Sequence, residues 1–202
     1  MARPRGASTA EVVAGAARVF EAKGYANTTI DDICLEVGIS RPTIYKRIES
    51  KPWLLDEMVA LVTEELGIQL EELHGDARPA REKIQSLIQL HVESANNKRI
   101  YYATVFREQP ELSAHSKEAF RRWSHKVTHD FALLIDEYRN DEKIADHVDA
   151  AVLANLTLTM LTSLFRWYNP EGATSPGDLS EQILLMLSGP LPGINIRETP
   201  AE

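Results

Sequence analysis

The stretch TTIDDICLEVGISRPTIYKRIESK, residues 28–51, constrains the fold of this chain more than any other part of it. Apolar residues recur at helical spacing on both sides of a Gly38-Ile39 turn: Ile30, Ile33, Cys34 and Val37 before it, Ile39 and Ile44 around and after it. Two short helices joined by a tight, glycine-containing turn make a helix-turn-helix. Thr29 can cap the first, with Asp32 three residues on as a short capping box. Ser40 can cap the second, expected from Arg41 to about Arg47. The pair needs another helix to cover its inner face. The segment starting at Ser8 or Thr9 supplies one, with Val12, Val13, Ala16, Ala17 and Phe20 along one side. An ordinary three-helix packing unit meets the same periodicity, so the pattern alone leaves both readings open.

The outward side chains carry the chemistry. With Ile39 and Ile44 turned inward, Arg41, Pro42, Thr43, Tyr45 and Lys46 are left to face out. An arginine can bond guanine through two parallel N–H groups, and a proline ring or threonine methyl can touch a thymine methyl. Arg41, Pro42, Thr43 and Lys46 are therefore expected to contact bases. Thr28, Thr29, Ser40, Tyr45 and Lys51 suit phosphate oxygens, which position a protein on a duplex without specifying sequence. Arg3 and Arg5, in the basic start of the chain, are within reach of a minor groove or a neighbouring phosphate.

The remaining apolar spacing is helical almost throughout, and alternating strand-like runs are missing, so the chain is expected to be all-α with about nine helices. A fourth helix starts after Ser50, with Pro52 in its first turn, and runs to about Leu73. Gly75 to Pro79 is a connector. Helical patterns resume over 80–95, 100–108, 113–139, 146–168 and 179–187. The tail from Gly189 carries three prolines and is expected to be loose.

Charge is split along the chain. The net charge is -8, which alone argues against a nucleic-acid partner. Yet residues 1–51 hold eight Lys/Arg against six Asp/Glu, while residues 52–202 hold fourteen against twenty-four. A nucleic-acid face needs local positive charge, not a basic whole protein. The expected division is thus a DNA-binding domain at 1–51 and a helical ligand-binding and dimerisation domain at 52–202.

Residues 12–55 resemble the DNA-binding domain of the TetR family of ligand-responsive transcriptional regulators. The stretches that carry the resemblance are AARVFEAKGYANTTIDDICLEVGIS and RPTIYKRIESKPWLL. The Phe-x-x-x-Gly-Tyr approach, the Thr-Thr pair, the Gly-Ile-Ser turn, the Thr-Ile-Tyr core and the Ser-Lys before the fourth helix match in order and spacing. Two residues depart from the family pattern: Ile48 replaces the usual aromatic residue and Cys34 a small alanine. Both are apolar, so repacking is expected. Lys46-Arg47 makes the recognition helix more basic than in many members.

The resemblance implies a homodimer that binds double-stranded operator DNA, with one small-molecule effector pocket per subunit and repression as the usual outcome. It places the last two helices at the dimer interface, where Val152, Leu156, Leu164, Ile183, Leu184 and Leu187 are the candidate contacts. The competing reading is that these residues fill the subunit's own core. Pockets of this kind lie in the C-terminal bundle and mix apolar, aromatic and a few polar groups. His91, Tyr101, Tyr102, Phe106, Arg107, Trp123 and Arg166 are the candidate effector residues, with core packing as the alternative for the aromatics. The stretch LFRWYNPEGATSPGDLSEQI, residues 164–183, is similar to the matching segment of TetR-type regulators that respond to acyl-CoA thioesters. That likeness implies an acyl-CoA thioester as effector, with another hydrophobic ligand as the alternative.

Other functions find little support. A glycine-rich phosphate loop and a nucleophile elbow are missing, and Cys34 has no catalytic partners, so no enzyme, cofactor or catalytic residue is expected. His125 and His129 share a helix face, but no third ligand stands at sensible spacing, so no metal is expected. A single cysteine excludes an intrachain disulfide framework. No stretch approaches the roughly 18 apolar residues of a membrane span, and no apolar segment follows the basic start. A cytoplasmic protein without a membrane partner is expected. The alternative function is a helical protein-interaction adaptor that has lost operator reading.

Overall fold

A computed structural model describes residues 7–143 and 148–194. All regular structure among them is helical. The helices are α1 (Thr9–Lys23), α2 (Ile30–Val37), α3 (Arg41–Ile44), α4 (Lys51–Gly75), α5 (Ala80–Asn97), α6 (Arg99–Arg107), α7 (Ala114–Glu142), α8 (Ala150–Thr162), α9 (Leu164–Trp167) and α10 (Pro176–Leu187), with a single 3₁₀ turn over Gln109–Glu111. The all-α expectation holds. The chain forms two compact units, 1–64 with 98–121 and 65–97 with 122–202.

In the first unit α1 is capped as its sequence requires. The Ser8 hydroxyl accepts the Glu11 N–H, and the Glu11 carboxylate accepts the Ser8 N–H in return. The same reciprocal box joins Thr29 and Asp32 at the start of α2. Gly38 ends α2 in the left-handed region, at φ 72° and ψ 32°, a conformation that costs a glycine little and most other residues much. Val12, Val13, Ala16, Ala17 and Phe20 of α1 are buried with Ile33 and Cys34 of α2, Ile44 of α3, Ile48, and Leu54, Leu55 and Met58 of α4. Gly15 sets the approach of α1 to α2, because a Cβ there would stand 2.4 Å from a Val37 methyl. Helix α6 packs on α1 in the same unit. The Arg107 guanidinium donates to the Phe20 carbonyl at 2.8 Å, and Glu108 accepts the Tyr25 N–H at 3.4 Å.

The second unit buries one continuous apolar cluster. It runs from Leu66 and Leu70 of α4 through Ile84, Leu87, Ile88 and Val92 of α5 and Phe131 and Ile135 of α7 to Leu158, Leu161, Ile183 and Leu187. Helix α5 packs on α8, α9 and α10.

Three expectations change. The helix expected over 146–168 is two helices: Asp149 caps α8, α8 stops at Thr162, and α9 is a four-residue turn. Asp146 lies outside the described residues. At the break the Ser163 hydroxyl donates to the Met160 carbonyl at 2.7 Å, the acceptor that the Leu164 N–H would take if the helix continued. Helix α10 begins three residues before the expected Leu179, because Ser175 and Asp178 form a third capping box around Pro176. The tail from Gly189 is not loose as far as Ile194. Leu191 and Ile194 are fully buried. The Tyr138 hydroxyl donates to the Pro192 carbonyl at 2.6 Å, and Gln85 donates to the Ile194 carbonyl at 2.7 Å.

Candidate nucleic-acid interface and effector residues

Helix α3 is shorter than its sequence suggests. Beyond Ile44 the chain tightens: Lys46 and Arg47 donate three residues back, to Thr43 and Ile44, at 3.2 and 2.8 Å. Such 3₁₀-type bonds are common at helix ends. Ile44 and Ile48 point into the core while Arg41, Pro42, Tyr45 and Lys46 are exposed. Tyr45 is 56% exposed, a large value for an aromatic ring on a packed unit. Thr43 is half-buried, and its hydroxyl meets the Ser40 hydroxyl at 2.9 Å. Ser40 therefore stands at the N-cap of α3 without bonding its backbone.

The expected phosphate contacts separate into two groups. Thr29, Ser40 and Tyr45 are exposed. Thr28 is only 2% exposed, and its hydroxyl donates to the Gly24 carbonyl at 2.8 Å. Lys51 is half-buried. Its ammonium donates to the Thr28 carbonyl at 2.6 Å and lies 4.3 Å above the Tyr25 ring. In this geometry Thr28 and Lys51 tie the α1–α2 connection to the start of α4. Arg3 and Arg5 lie outside the described residues.

Acidic residues stud the α2 side of this surface. Arg41 forms a two-bond fork with the Asp31 carboxylate. That hydrogen bonding holds the Asp31 carboxyl below its ordinary range and raises the Arg41 guanidinium. Lys23 pairs with Asp32 at 2.5 Å and Arg18 with Glu36 at 2.6 Å. The Lys23 ammonium and the Thr29 backbone and hydroxyl together hold the Asp32 carboxyl far below the usual carboxylate range.

The seven candidate effector residues fall in both units. In the first, Tyr102 is buried and stacks on Phe106 with centroids 6.4 Å apart, and Phe106 meets Phe120 edge-on at 5.6 Å. Tyr101 is half-buried, and Arg107 is held by Phe20 and Glu108. In the second, Trp123 packs beside Gly67, and Arg166 is exposed with its guanidinium 5.4 Å from the Phe165 ring. The neighbouring Tyr168 is buried and donates to the Thr174 carbonyl at 2.9 Å, which closes the α9–α10 connection.

His91, also in the second unit, stands apart from the rest. It is buried, and its Nδ1 lies 2.8 Å from the Leu87 carbonyl. A carbonyl only accepts, so Nδ1 carries the proton and Nε2 presents a lone pair. Nε2 is buried with no hydrogen-bond partner among the described residues, and so is the Thr157 hydroxyl on α8. Thr157 was not legible as a polar site, since threonine in an apolar helix usually returns its hydroxyl to the preceding turn. Each such orphan costs about 1–3 kcal/mol. A surface groove of about 970 Å3 between α5 and α10 is lined by Gln85, Gln89, Asp178, Glu181 and Gln182 among others, and by none of the seven.

The six candidate interface residues also divide. Val152 and Leu156 of α8 are exposed, whereas Leu164, Ile183, Leu184 and Leu187 belong to the subunit's own core. Helix α10 instead exposes Leu185 and Met186, at 61% and 57%. No group of three or more His, Cys, Asp or Glu among the described residues is placed to hold a metal. No described helix is long and apolar enough to cross a membrane.

An all-α chain with an N-terminal helix-turn-helix, whose second helix and following turn expose Arg41 and Lys46, has the build of a DNA-binding regulator. Comparison with known proteins gives the family. Residues 12–58 match the model described as bacterial regulatory proteins, tetR family, and residues 77–190 match the tetracyclin repressor-like C-terminal domain. The chain belongs to the TetR family and is a TetR-family transcriptional regulator. No curated protein matches it. Among solved structures it is similar to the ketosteroid transcriptional regulator KstR2 of Mycobacterium tuberculosis, with a TM-score of 0.81 and 18% identity over 93% of this chain and 97% of that one. It is also similar to a TetR/AcrR-family regulator from Thermobifida fusca, with a TM-score of 0.68 and 25% identity over 94% and 98% of the two chains. AibR, solved with isovaleryl coenzyme A and operator DNA, gives a TM-score of 0.73 and 16% identity over 91% and 98%.

Proposed function

We propose that this chain is a cytoplasmic, homodimeric repressor that leaves its operator when a small hydrophobic or acyl-CoA-like effector binds. The observation that carries the DNA half is the exposed cluster Arg41, Pro42, Tyr45 and Lys46 around a buried Ile44. Residues 1–51 read the operator, and residues 52–202 hold the effector and the second subunit. Arg41, Pro42, Thr43 and Lys46 contact bases; Thr29, Ser40 and Tyr45 hold phosphates. Thr28 and Lys51 support them by fixing the approach to α2. Two recognition helices must stand about 34–36 Å apart to enter successive major grooves. An effector that binds only another spacing shifts the population away from DNA.

The dimer reading draws on the exposed apolar side chains Val152, Leu156, Leu185 and Met186 of α8 and α10. The effector reading draws on the 164–183 resemblance, on the isovaleryl coenzyme A bound by AibR, and on the orphaned polar atoms of His91 and Thr157 inside the second unit. An effector hydroxyl or amide N–H would satisfy the His91 lone pair.

Operator mobility shifts with wild-type protein and Tyr45→Ala test both halves. Tyr45 is exposed, so the variant should stay folded and dimeric while operator binding weakens about tenfold, as expected for loss of one charge-assisted contact. Unfolding of the variant would contradict the outward orientation of Tyr45. Isovaleryl-CoA and longer acyl-CoAs, added at ten to a hundred micromolar, should release wild-type protein from DNA. Failure of the whole series removes the acyl-CoA class and leaves operator binding standing.

A further inference from the structure

Arg41 on α3 and Asp31 on α2 meet side-on. Nε and Nη2 of the guanidinium donate to the two carboxylate oxygens of Asp31. This fork uses two of the five N–H donors of arginine. Both hydrogens of Nη1 and one of Nη2 remain, and they lie at the far end of the group. A parallel pair of donors from that end matches O6 and N7 of guanine.

Both side chains are 60% exposed, and an exposed ion pair does little for stability. A carboxylate on a face that meets phosphates also opposes binding through its charge. The pair therefore adds little to folding and works against attraction to DNA. What it supplies is direction. A free arginine side chain samples many rotamers, whereas one gripped along its Nε edge offers its end in a single orientation.

We propose that Asp31 is a positioning residue that fixes the Arg41 guanidinium for end-on recognition of a guanine in the operator. This rests on the operator-reading function above. Asp31 touches no base; it acts through Arg41. Its carboxylate is charged at neutral pH as an ordinary aspartate is, and the Arg41 hydrogen bonds hold its pKa lower still.

The two consequences of removing Asp31 have opposite signs, which makes the idea testable. Losing a negative charge strengthens sequence-independent attraction to phosphate. Losing the grip weakens discrimination at one base. The test is selection of binding sites from randomised duplexes, followed by titration of the selected duplex and of its guanine-to-adenine derivatives. Wild type, Asp31→Ala, Asp31→Glu, Arg41→Ala and the double variant are compared. Wild type should prefer one guanine by roughly tenfold or more, the range of a good bidentate contact. Asp31→Ala should bind competitor DNA more tightly and lose most of that preference. Arg41→Ala should lose the same preference, and the double variant should lose no more than either alone. Asp31→Glu, which keeps the carboxylate, should restore part of it.

Asp31→Ala that retains the full guanine preference overturns the proposal, and Asp31 then only repels DNA. Arg41→Ala that retains it overturns the proposal as well, because Arg41 then reads no guanine. Wild type that selects no sequence refutes the operator-reading function itself, and the inference with it. Base preference is the deciding readout, since a general loss of stability would weaken all sequences alike.

Discussion

His91 shows how one buried side chain links packing and pH. Burial drives its pKa down to about 4, with the Leu87 hydrogen bond opposing weakly. The unfolded chain holds the same imidazole near pKa 6.5. Between those values the unfolded state binds more protons than the folded one, so stability falls as pH drops from about 6.5 toward 4. The full loss is of order 3 kcal/mol. The carboxylates held low by partners, Asp31, Asp32 and Asp178, lose their contributions mainly below about pH 4, and Glu57, pushed up by burial, favours the folded state as pH falls, so the loss of stability above that belongs to His91. Thermal melts between pH 7 and 4.5 should show a falling Tm in wild type and a much flatter profile in His91→Leu. Equal slopes in the two proteins would mean that His91 is not neutral and buried. At this scale the sequence was legible where side chains face water, as at Arg41, Pro42, Tyr45 and Lys46. It was not legible at Thr28 and Lys51, because nothing in the TT pair or the SK pair records which carbonyl a hydroxyl or ammonium will reach.

Among the elements, α10 is the most instructive. Its run Ile183-Leu184-Leu185-Met186-Leu187 is apolar around the whole helix, so periodicity cannot separate the inward side from the outward one. The structure does: Ile183, Leu184 and Leu187 are buried, while Leu185 and Met186 are exposed. The two faces predict different outcomes for the same chemical change. Leu185→Glu combined with Met186→Lys should leave each subunit folded and abolish the dimer. Leu184→Glu should unfold the second unit, since an unpaired charge in a packed core is severely destabilising. Sedimentation velocity with circular dichroism separates the cases, and a folded, fully dimeric double variant would remove α10 from the interface. A helix start was legible where a capping box announced it, at Thr29, whereas Ser8 and Thr9 were left as alternatives until the Ser8–Glu11 box decided between them. The box at Ser175 was obscured by the proline and glycine beside it. The break at Ser163 depends on hydroxyl competition that apolar spacing does not register, and the need for Gly15 depends on a helix crossing that no local pattern contains.

For the molecule as a whole, the all-α fold was readable because nearly every segment repeats at helical spacing. The compact units were not, since residues 98–121 join the N-terminal helices and only long-range packing decides that. The charge division adds the functional dimension. A net -8 chain keeps its positive balance in residues 1–51, where operator contact is proposed, and an acidic remainder that disfavours DNA elsewhere. The central claim is that this chain reads a defined operator as a dimer. Capture of genomic fragments from the source organism, at about 0.15 M salt with excess competitor DNA, tests it most directly. The account predicts enrichment of a near-palindromic site whose half-sites lie about one helical turn apart. No enrichment above competitor, from protein freed of any bound small molecule, would contradict it.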